Sequence, residues 1–355
     1  MKLLFTSTFF LLLGTGLMAQ SLSGVESVEY DPINKQYLTS SDGTSIVAIA
    51  PNGALSYFGN GLQADYGMEV VGNTVFAIVG GSVRGYDLTS ETQVMNVSIS
   101  GASFLNGMAS NGTDKLWVTD FSAKKIHEID ITNLGSATTG QIATTGSSTP
   151  NGIVYDGANN RCLFVTWGTG VIKEMALSNY AISTVVGSTG LTNIDGIDAD
   201  GNGNWYISSW SPARITKYNN DFSSSETITV PGISNPADIC YAPETDTLAI
   251  PGGNQVLFVG FESSPVGLSE SESFEPYGIH YSSGYPVVKF ELTNLQDVTL
   301  EIIDMSGRVA YTVLEGPQPA GAQTVVLSSI GLYSGAYVCR LTSKELSFSE
   351  RIVIP

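Results

Sequence analysis

The chain has 355 residues, of which 33 are acidic and 15 are basic, so its formal net charge is −18. Such a surface repels phosphate backbones and anionic membranes, which argues against nucleic acid as a partner and favours cations. The 39 glycines supply the turns that many short strands need. Length and composition therefore predict an all-β protein with one large domain and one smaller domain.

Residues 1–19 are typical of a secretory signal peptide. Lys2 precedes an apolar stretch from Leu3 to Met18, and the small residue Ala19 precedes the expected cleavage point. This stretch is short for a membrane span, and no later segment reaches the about 20 apolar residues that a spanning helix needs. We expect an exported protein with no membrane span.

One cassette of about 40 residues recurs six times up to Phe261. The copies begin at Glu26 (ESVEYD), Tyr66 (YGMEVV), Asn106 (NGMASN), Asn151 (NGIVYD), Asp195 (DGIDAD) and Ala237 (ADICYA). Each copy continues with an apolar run rich in aromatic and β-branched residues, a third strand and a more polar fourth segment. The pattern predicts a six-bladed β-propeller over residues 20–261. Because few residues precede the first copy, blade six is either short of a strand or completed by the segment that follows it.

A Ser/Glu-rich stretch at residues 262–273 has no hydrophobic periodicity and is interpreted as a linker. Alternating strands separated by turns then resume over residues 274–355 without the repeat of the propeller. They predict a small C-terminal β-sandwich.

Three segments of this sandwich resemble the C-terminal sorting domain of type IX secretion substrates. They are DMSGRV from Asp304, GLYSGAYV from Gly331 and RIVI from Arg351. The resemblance implies that the type IX secretion machinery is a partner and that the protein is secreted or displayed at the cell surface. The alternative is an ordinary accessory sandwich.

The first residue of each cassette is the expected place of function. In a propeller the first strand of each blade lines the central channel, so these positions converge on the axis. They hold two carboxylates, two carboxamides, one phenol and one alanine. Oxygen ligands suit a hard cation, and the absence of Cys and His argues against zinc or copper. Calcium fits best, with magnesium or manganese as the other candidates.

Three of the cassettes resemble the gluconolactonase, or senescence marker protein, family of six-bladed propellers. Its metal-binding motifs are matched at Glu26-Ser-Val-Glu-Tyr30, except for a proline, at Asn151-Gly-Ile153 and at Asp195 through Asp200. The resemblance implies that Glu26, Asn151 and Asp195 hold a divalent cation. It further implies that Asp195 is the catalytic base, that Asn106 contacts the substrate, and that the reaction is hydrolysis of a lactone or ester.

Other interpretations of these positions remain open. The family places an arginine two residues before its substrate-contacting asparagine, whereas Phe104 stands there in this chain, so a sugar-acid lactone is not expected. Asn-Gly and Asp-Gly are also common turn dipeptides. The alternative function is a non-catalytic secreted or surface propeller that binds a glycan, peptide or protein partner. Trp167 and Trp210 are placed to reach a channel mouth.

Overall fold

The computed structural model describes residues 21–261, 277–282, 285–327 and 331–354. The expected signal peptide and the linker at 262–273 lie outside these ranges. Regular structure in them is β-strand apart from two short 3-10 helices, Leu134–Ser136 and Gly157–Asn159. The prediction of an all-β fold is confirmed. Among the described residues, no helix is long and apolar enough to cross a membrane.

Six antiparallel sheets follow one another in chain order, and we call them blades one to six. Blade one consists of β1 (Val28–Asp31), β2 (Gln36–Ser41), β3 (Ser45–Ile49) and β4 (Leu55–Tyr57). Blade two consists of β5 (Met68–Val71), β6 (Thr74–Val79), β7 (Ser82–Asp87) and β8 (Thr92–Ser98). Blade three consists of β9 (Leu105–Ser110), β10 (Lys115–Asp120), β11 (Lys125–Asp130) and β12 (Thr138–Thr144). Blade four consists of β13 (Thr149–Asp156), β14 (Arg161–Trp167), β15 (Ile172–Ala176) and β16 (Ile182–Val186). Blade five consists of β17 (Thr192–Ala199), β18 (Trp205–Ser211), β19 (Ala213–Tyr218) and β20 (Ser225–Thr229). Blade six consists of β21 (Cys240–Ala242), β22 (Thr247–Gly252) and β23 (Gln255–Gly260).

The fourth, outermost strand is the least buried strand of each four-stranded blade. The second strand β6, with the sequence TVFAIV, is buried along almost its whole length, whereas the outer strand β8 is mostly exposed. The apolar runs pack between neighbouring blades; one cluster joins Phe76 and Ile78 of blade two to Leu116 and Val118 of blade three. Each fully buried side chain of this size contributes about 1.5–3 kcal/mol. Packing between blades therefore holds the sheets together.

The first strands form a closed ring. Each lies beside the first strand of the next blade, and β21 of blade six lies beside β1 of blade one. At this last junction Ser27 and Asp238 form a parallel bridge, and the backbone N–H of Asp238 donates to the carbonyl oxygen of Glu26 at 3.0 Å. The sheets therefore surround a central channel, which is the arrangement of a β-propeller.

Blade six has three strands among the described residues. The chain ahead of β1 fastens this blade to the ring, because Val25 N–H donates to Gly253 O at 3.0 Å and Gly24 N–H donates to Asn254 Oδ1 at 3.2 Å. Val28 of blade one also packs against Cys240 and Ala249 of blade six. These contacts close the ring, and the described residues 21–27 do not add a fourth strand to blade six.

The C-terminal strands form a sandwich, as expected. One sheet contains β24 (Tyr277–Ser282), β25 (Tyr285–Leu292) and β28 (Gly321–Val326), and the other contains β26 (Gln296–Asp304), β27 (Val309–Gln318), β29 (Gly335–Ser343) and β30 (Ser347–Ile354). Their facing apolar side chains make one core. All three cysteines, Cys162, Cys240 and Cys339, are free and buried.

The sandwich shares a sheet with the propeller, which the sequence did not predict. Strand β28 pairs in parallel with the outer strand β20 of blade five, with Ile228 opposite Thr324. The Thr324 hydroxyl donates to the Glu226 carboxylate. Val287 and Val326 of the sandwich join an apolar cluster with Ile228 and Val230. Blade five is therefore extended by three sandwich strands into a sheet of seven.

Candidate functional site

The first residues of the six cassettes lie where the first strands begin, and we call them the upper ring. They are Glu26, Tyr66, Asn106, Asn151, Asp195 and Ala237. Asn106, Asn151 and Asp195 lie inside β9, β13 and β17, at irregularities where the first strand changes register against the second. The alternative interpretation of the Asn-Gly and Asp-Gly pairs as turns is therefore wrong. These residues occupy β-bulges, which redirect side chains.

The glycines of these pairs are set by close packing around the axis. A β-carbon at Gly107 would lie 2.6 Å from the carbonyl oxygen of Asn151, and one at Gly152 would lie 2.6 Å from that of Asp195. A β-carbon at the equivalent Gly67 would lie 2.4 Å from the nearest backbone carbonyl oxygen, and one at Gly196 would lie 2.7 Å from the carbonyl oxygen nearest to it. Buried hydroxyls bind the same carbonyls, since Thr119 Oγ1 donates to Asn151 O at 2.7 Å. Close backbone contacts between neighbouring first strands thus hold the upper ring in place.

Asp195 and Glu26 form an acidic pair in the upper ring. Asp195 is buried, with 6% of its surface exposed. Burial, then repulsion by Glu26, raises the pKa of Asp195 to about 8, and contacts from Trp210 and Asn151 partly offset the rise. Burial also raises the pKa of the half-buried Glu26. The two carboxylates are therefore close enough to repel each other in a poorly solvated place.

Asn151 completes this group. It is only 1% exposed, and its Nδ2 donates to the carbonyl oxygen of Ile194 at 3.2 Å. Its Oδ1 is buried without a hydrogen-bond partner in the described part of the chain. A buried amide oxygen left unpaired costs about 1–3 kcal/mol. The orphaned oxygen therefore stands beside a carboxylate pair that lacks a counter-charge.

The structure brings together Glu26, Asn151 and Asp195, but ties Asn106 to them less directly. Asn106 is half-buried, and its carbonyl oxygen accepts from Gly67 N–H at 2.8 Å. It is not among the groups that shift the pKa of Asp195. Tyr66 lies near Glu26. Burial and then the charge of Glu26 raise the pKa of the Tyr66 phenol.

The upper ring offers few protein ligands for a metal. No group of three or more His, Cys, Asp and Glu side chains is arranged for metal binding within the described ranges. Two carboxylates and an unpaired amide oxygen match the oxygen chemistry of calcium or magnesium, both of which accept water as further ligands. The residues present therefore fit a hard cation that is partly hydrated.

A second set of channel residues, which the sequence did not single out, lies three positions further along each first strand. This lower ring consists of Glu29, Glu69, Ala109, Val154, Asp198 and Cys240. All six line one cavity of about 190 Å³, together with Asp238. The structure therefore places a second acidic tier in the channel.

The lower ring carboxylates also have raised pKa values. Burial and repulsion by Asp198 raise the pKa of Glu69 to about 8, although Ser110 donates to it at 2.8 Å. Burial raises the pKa of Asp198 to about 7 against hydrogen bonds from the backbone of Tyr241 and Ala199. Burial, then repulsion by Glu69, raises the pKa of Glu29 well above its usual range.

Asp238 connects the two tiers. Burial raises its pKa, and repulsion from Asp195 and Glu26 above and from Asp198 and Glu69 below adds to the rise. In the described part of the chain, no Lys or Arg is among the groups that chiefly shift the pKa values of these channel carboxylates. The channel is therefore lined by carboxyl groups without a basic partner, and a bound cation would favour their ionised form.

The lower ring predicts that the protein loses stability as the pH rises. The raised pKa values mean that between pH about 4 and about 8 the folded state holds protons that the unfolded chain has released. The free energy of unfolding should be largest below the unfolded pKa and should fall as the pH passes through about 7 for Asp198 and about 8 for Glu69. Urea unfolding in EDTA at pH 5, 6, 7 and 8 measures this slope.

The double variant Glu69→Gln, Asp198→Asn is the control, because it removes these two titrations while it keeps the shape of the side chains. Its unfolding free energy should vary less with pH than that of the wild type. A wild-type stability that rises between pH 5 and pH 8 would contradict the assignment.

Five aromatic side chains, of which Tyr66 belongs to the upper ring, form a row of contacts beside it, and we call them the aromatic arc. Neighbouring rings touch at centroid distances of 4.7 Å for Tyr66 and Phe104, 5.3 Å for Phe104 and Phe121, 6.1 Å for Phe121 and Trp167, and 5.0 Å for Trp167 and Trp210. All five are half-buried, unlike the core residues Trp117 and Trp205. The arc runs from blade two to blade five and reaches the Glu26 side at Tyr66 and the Asp195 side at Trp210.

Comparison with known proteins gives the fold and no family. No family model matches the chain, and no curated protein matches it. A solved protein of unknown function from Bacteroides thetaiotaomicron is similar with a TM-score of 0.53 and 14% identity, over 67% of this chain and 68% of that one. This likeness supports the β-propeller-like fold.

Two other solved structures are similar at lower scores. Virginiamycin B lyase from Staphylococcus aureus has a TM-score of 0.49 and 14% identity, over 76% of this chain and 94% of its own. PorZ, a surface component of the type IX secretion system of Porphyromonas gingivalis, has a TM-score of 0.46 and 14% identity, over 94% of this chain and 40% of its own. At such identities the likeness concerns the fold alone.

Proposed function

We propose that the chain is an exported propeller that holds a divalent cation, best fitted by calcium, in the upper ring and uses it to hydrolyse a lactone or ester. The observation that carries the proposal is the orphaned Oδ1 of Asn151 beside the acidic pair of Asp195 and Glu26. A cation held by these three side chains would satisfy the amide oxygen and relieve the repulsion between the carboxylates. Magnesium or manganese would be held by the same oxygens.

The residues divide the chemistry among them. A bound cation would supply polarisation of the substrate carbonyl and stabilisation of the oxyanion. Asp195 takes a proton from the water that attacks the carbonyl carbon, and it returns this proton to the leaving oxygen when the carbon–oxygen bond to that oxygen breaks. A bound cation would lower the pKa of Asp195 and keep it ionised, and the carboxylate oxygen that faces the water would accept the proton. Asn106 orients the substrate or the water.

The alternative function is non-catalytic binding of a glycan, peptide or protein partner. The aromatic arc favours it, because half-buried rings beside a channel mouth offer apolar contact area. In this alternative, a cation held by the two carboxylates of the upper ring has only a structural role.

Export is proposed through a signal peptide at 1–19 and the sorting module at 274–355, which follows the propeller at 20–261 and the linker at 262–273. The described part of the module supports this, because the three matched segments adjoin one sheet. Asp304 and Arg308 form the turn between β26 and β27, where Asp304 Oδ1 accepts from Ser306 N–H at 2.8 Å. Gly335 begins β29, and Arg351 lies in the paired β30.

Turnover of aliphatic and aromatic lactones and esters tests the function. Wild-type protein is collected from the medium of a host with type IX secretion and assayed in calcium and in EDTA. Hydrolysis should require calcium, and Asp195→Asn should lower kcat by about 100-fold or more, as expected for a general base. Asp198→Asn, the same change three residues further along β17, should retain activity.

Secretion of the chain tests export, and turnover of the substrates tests hydrolysis. Retention of the wild-type chain inside the host would contradict export. Absence of turnover for every lactone and ester in calcium would contradict hydrolysis and support the binding function.

A further inference from the structure

The aromatic arc lies beside the acidic pair of the upper ring, with Tyr66 near Glu26 and Trp210 near Asp195. Burial and then Glu26 raise the pKa of Tyr66 at one end of the arc, and the indole of Trp210 at the other end lowers the pKa of Asp195. Phe104 stands two residues ahead of Asn106 in the chain, and Trp167 ends β14. The mouth thus has aromatic side chains beside an acidic floor.

One buried polar atom at this floor, Oδ1 of Asn151, has no partner in the described chain, and Asn151 is 1% exposed. Buried polar atoms in proteins are almost always hydrogen-bonded to the chain, to water or to a ligand. The position of this oxygen beside Asp195 points to a bound molecule at the floor of the mouth that donates a hydrogen bond.

The surroundings select the chemistry of that molecule. An anion is excluded, because the channel carboxylates have no basic partner among the principal groups that shift their pKa. A hydrated metal ion gains nothing from five half-buried rings. A neutral apolar molecule gains nothing from the carboxylates. A cation with an apolar body uses both features, because aromatic faces attract ammonium groups and cover their methyl or methylene groups.

We infer that the upper mouth of the channel binds an organic cation on a small apolar body, either a protonated amine or a quaternary ammonium with a hydroxyl group, whose N–H or O–H donates to Asn151 Oδ1. The ammonium group lies against Glu26 and Asp195, and the apolar part contacts the aromatic arc. This site needs neither a divalent cation nor hydrolysis. Both cations use the same carboxylates, so calcium and the organic cation compete.

Calorimetric titration with choline and with 3,3-dimethylbutan-1-ol tests the inference, because the two molecules have the same shape and differ in charge. In EDTA the wild type should bind choline at least tenfold more tightly than the neutral alcohol, because only the cation is attracted by the aromatic faces and the carboxylates. Glu26→Gln and Trp167→Leu should each weaken choline binding at least tenfold. Tyr57→Leu, which removes an exposed ring of β4 in blade one, should leave the affinity unchanged.

Equal affinity for the two probes, or no choline binding, would overturn the inference without the use of any variant. Choline binding that Glu26→Gln and Trp167→Leu leave intact would also overturn it. Calcium binding without choline binding overturns this inference alone and leaves the divalent-cation proposal in place. Choline binding without calcium binding supports this inference and overturns the divalent-cation proposal. Weaker choline binding in calcium supports a shared site.

Discussion

The Gly152→Ala variant is expected to melt about 6–12 °C below the wild type, which corresponds to a loss of about 3 kcal/mol in a propeller of this size. The added β-carbon would lie 2.6 Å from the carbonyl oxygen of Asp195, a distance that real β-carbons do not reach. That oxygen belongs to the backbone of the neighbouring first strand, so relief requires β13 and β17 to separate. The melting temperature by circular dichroism measures the effect.

Gly140→Ala is the matched control, because Gly140 also lies in a strand, β12, but has open space where a β-carbon would be added. Its backbone is not in the left-handed region, so the change should be neutral or should stabilise by about 0.4–1 kcal/mol through the unfolded chain. Equal melting temperatures for the two variants would show that the first strands are not in close contact around the axis.

The sequence predicts the sheets well because their signals are local. Apolar runs such as KLWVTD and TVFAIV are read within a few residues, and they become the buried second strands β10 and β6. The turns between them are short, so each run pairs with its neighbour in the chain. The six cassettes therefore correspond to six sheets.

The lower ring was missed because regular strands alternate. Positions one and four of a cassette, such as Asp195 and Asp198, would point to opposite faces of an undistorted strand. The register shift between Ile194 and Ile197 adds a residue and lets both carboxylates approach the axis. Bulges have no reliable local signature, although the acids at the fourth positions of three cassettes, Glu29, Glu69 and Asp198, were visible in the sequence.

The roles of the glycines and of the sandwich depend on distant residues. Gly152 is required by a carbonyl of another blade, whereas its sequence context, Asn-Gly, suggests a turn. The pairing of β28 with β20 joins Thr324 to Glu226, which are 98 residues apart, and neither segment carries a signal for the other. Contacts of this kind come from the assembled ring and are not encoded in a short window.

Calcium is expected to raise the melting temperature of the wild type by about 5–10 °C when its concentration is 100 times the Kd. A ligand that binds the folded state alone adds about 2.7 kcal/mol at that excess, and a protein of this size gains about 2–4 °C per kcal/mol. Asp195→Asn should lose this increase, because it removes one of two carboxylates from the upper ring. Differential scanning calorimetry in EDTA and in calcium measures both.

Asp198→Asn separates a bound cation from general relief of repulsion. It removes one negative charge from the same strand, β17, but from the lower ring, which has its own cavity. If calcium acts at Glu26, Asn151 and Asp195, this variant keeps the full increase in melting temperature. If calcium only screens the negative channel, both variants lose a similar part of the increase, and the orphaned oxygen of Asn151 must be satisfied by another ligand.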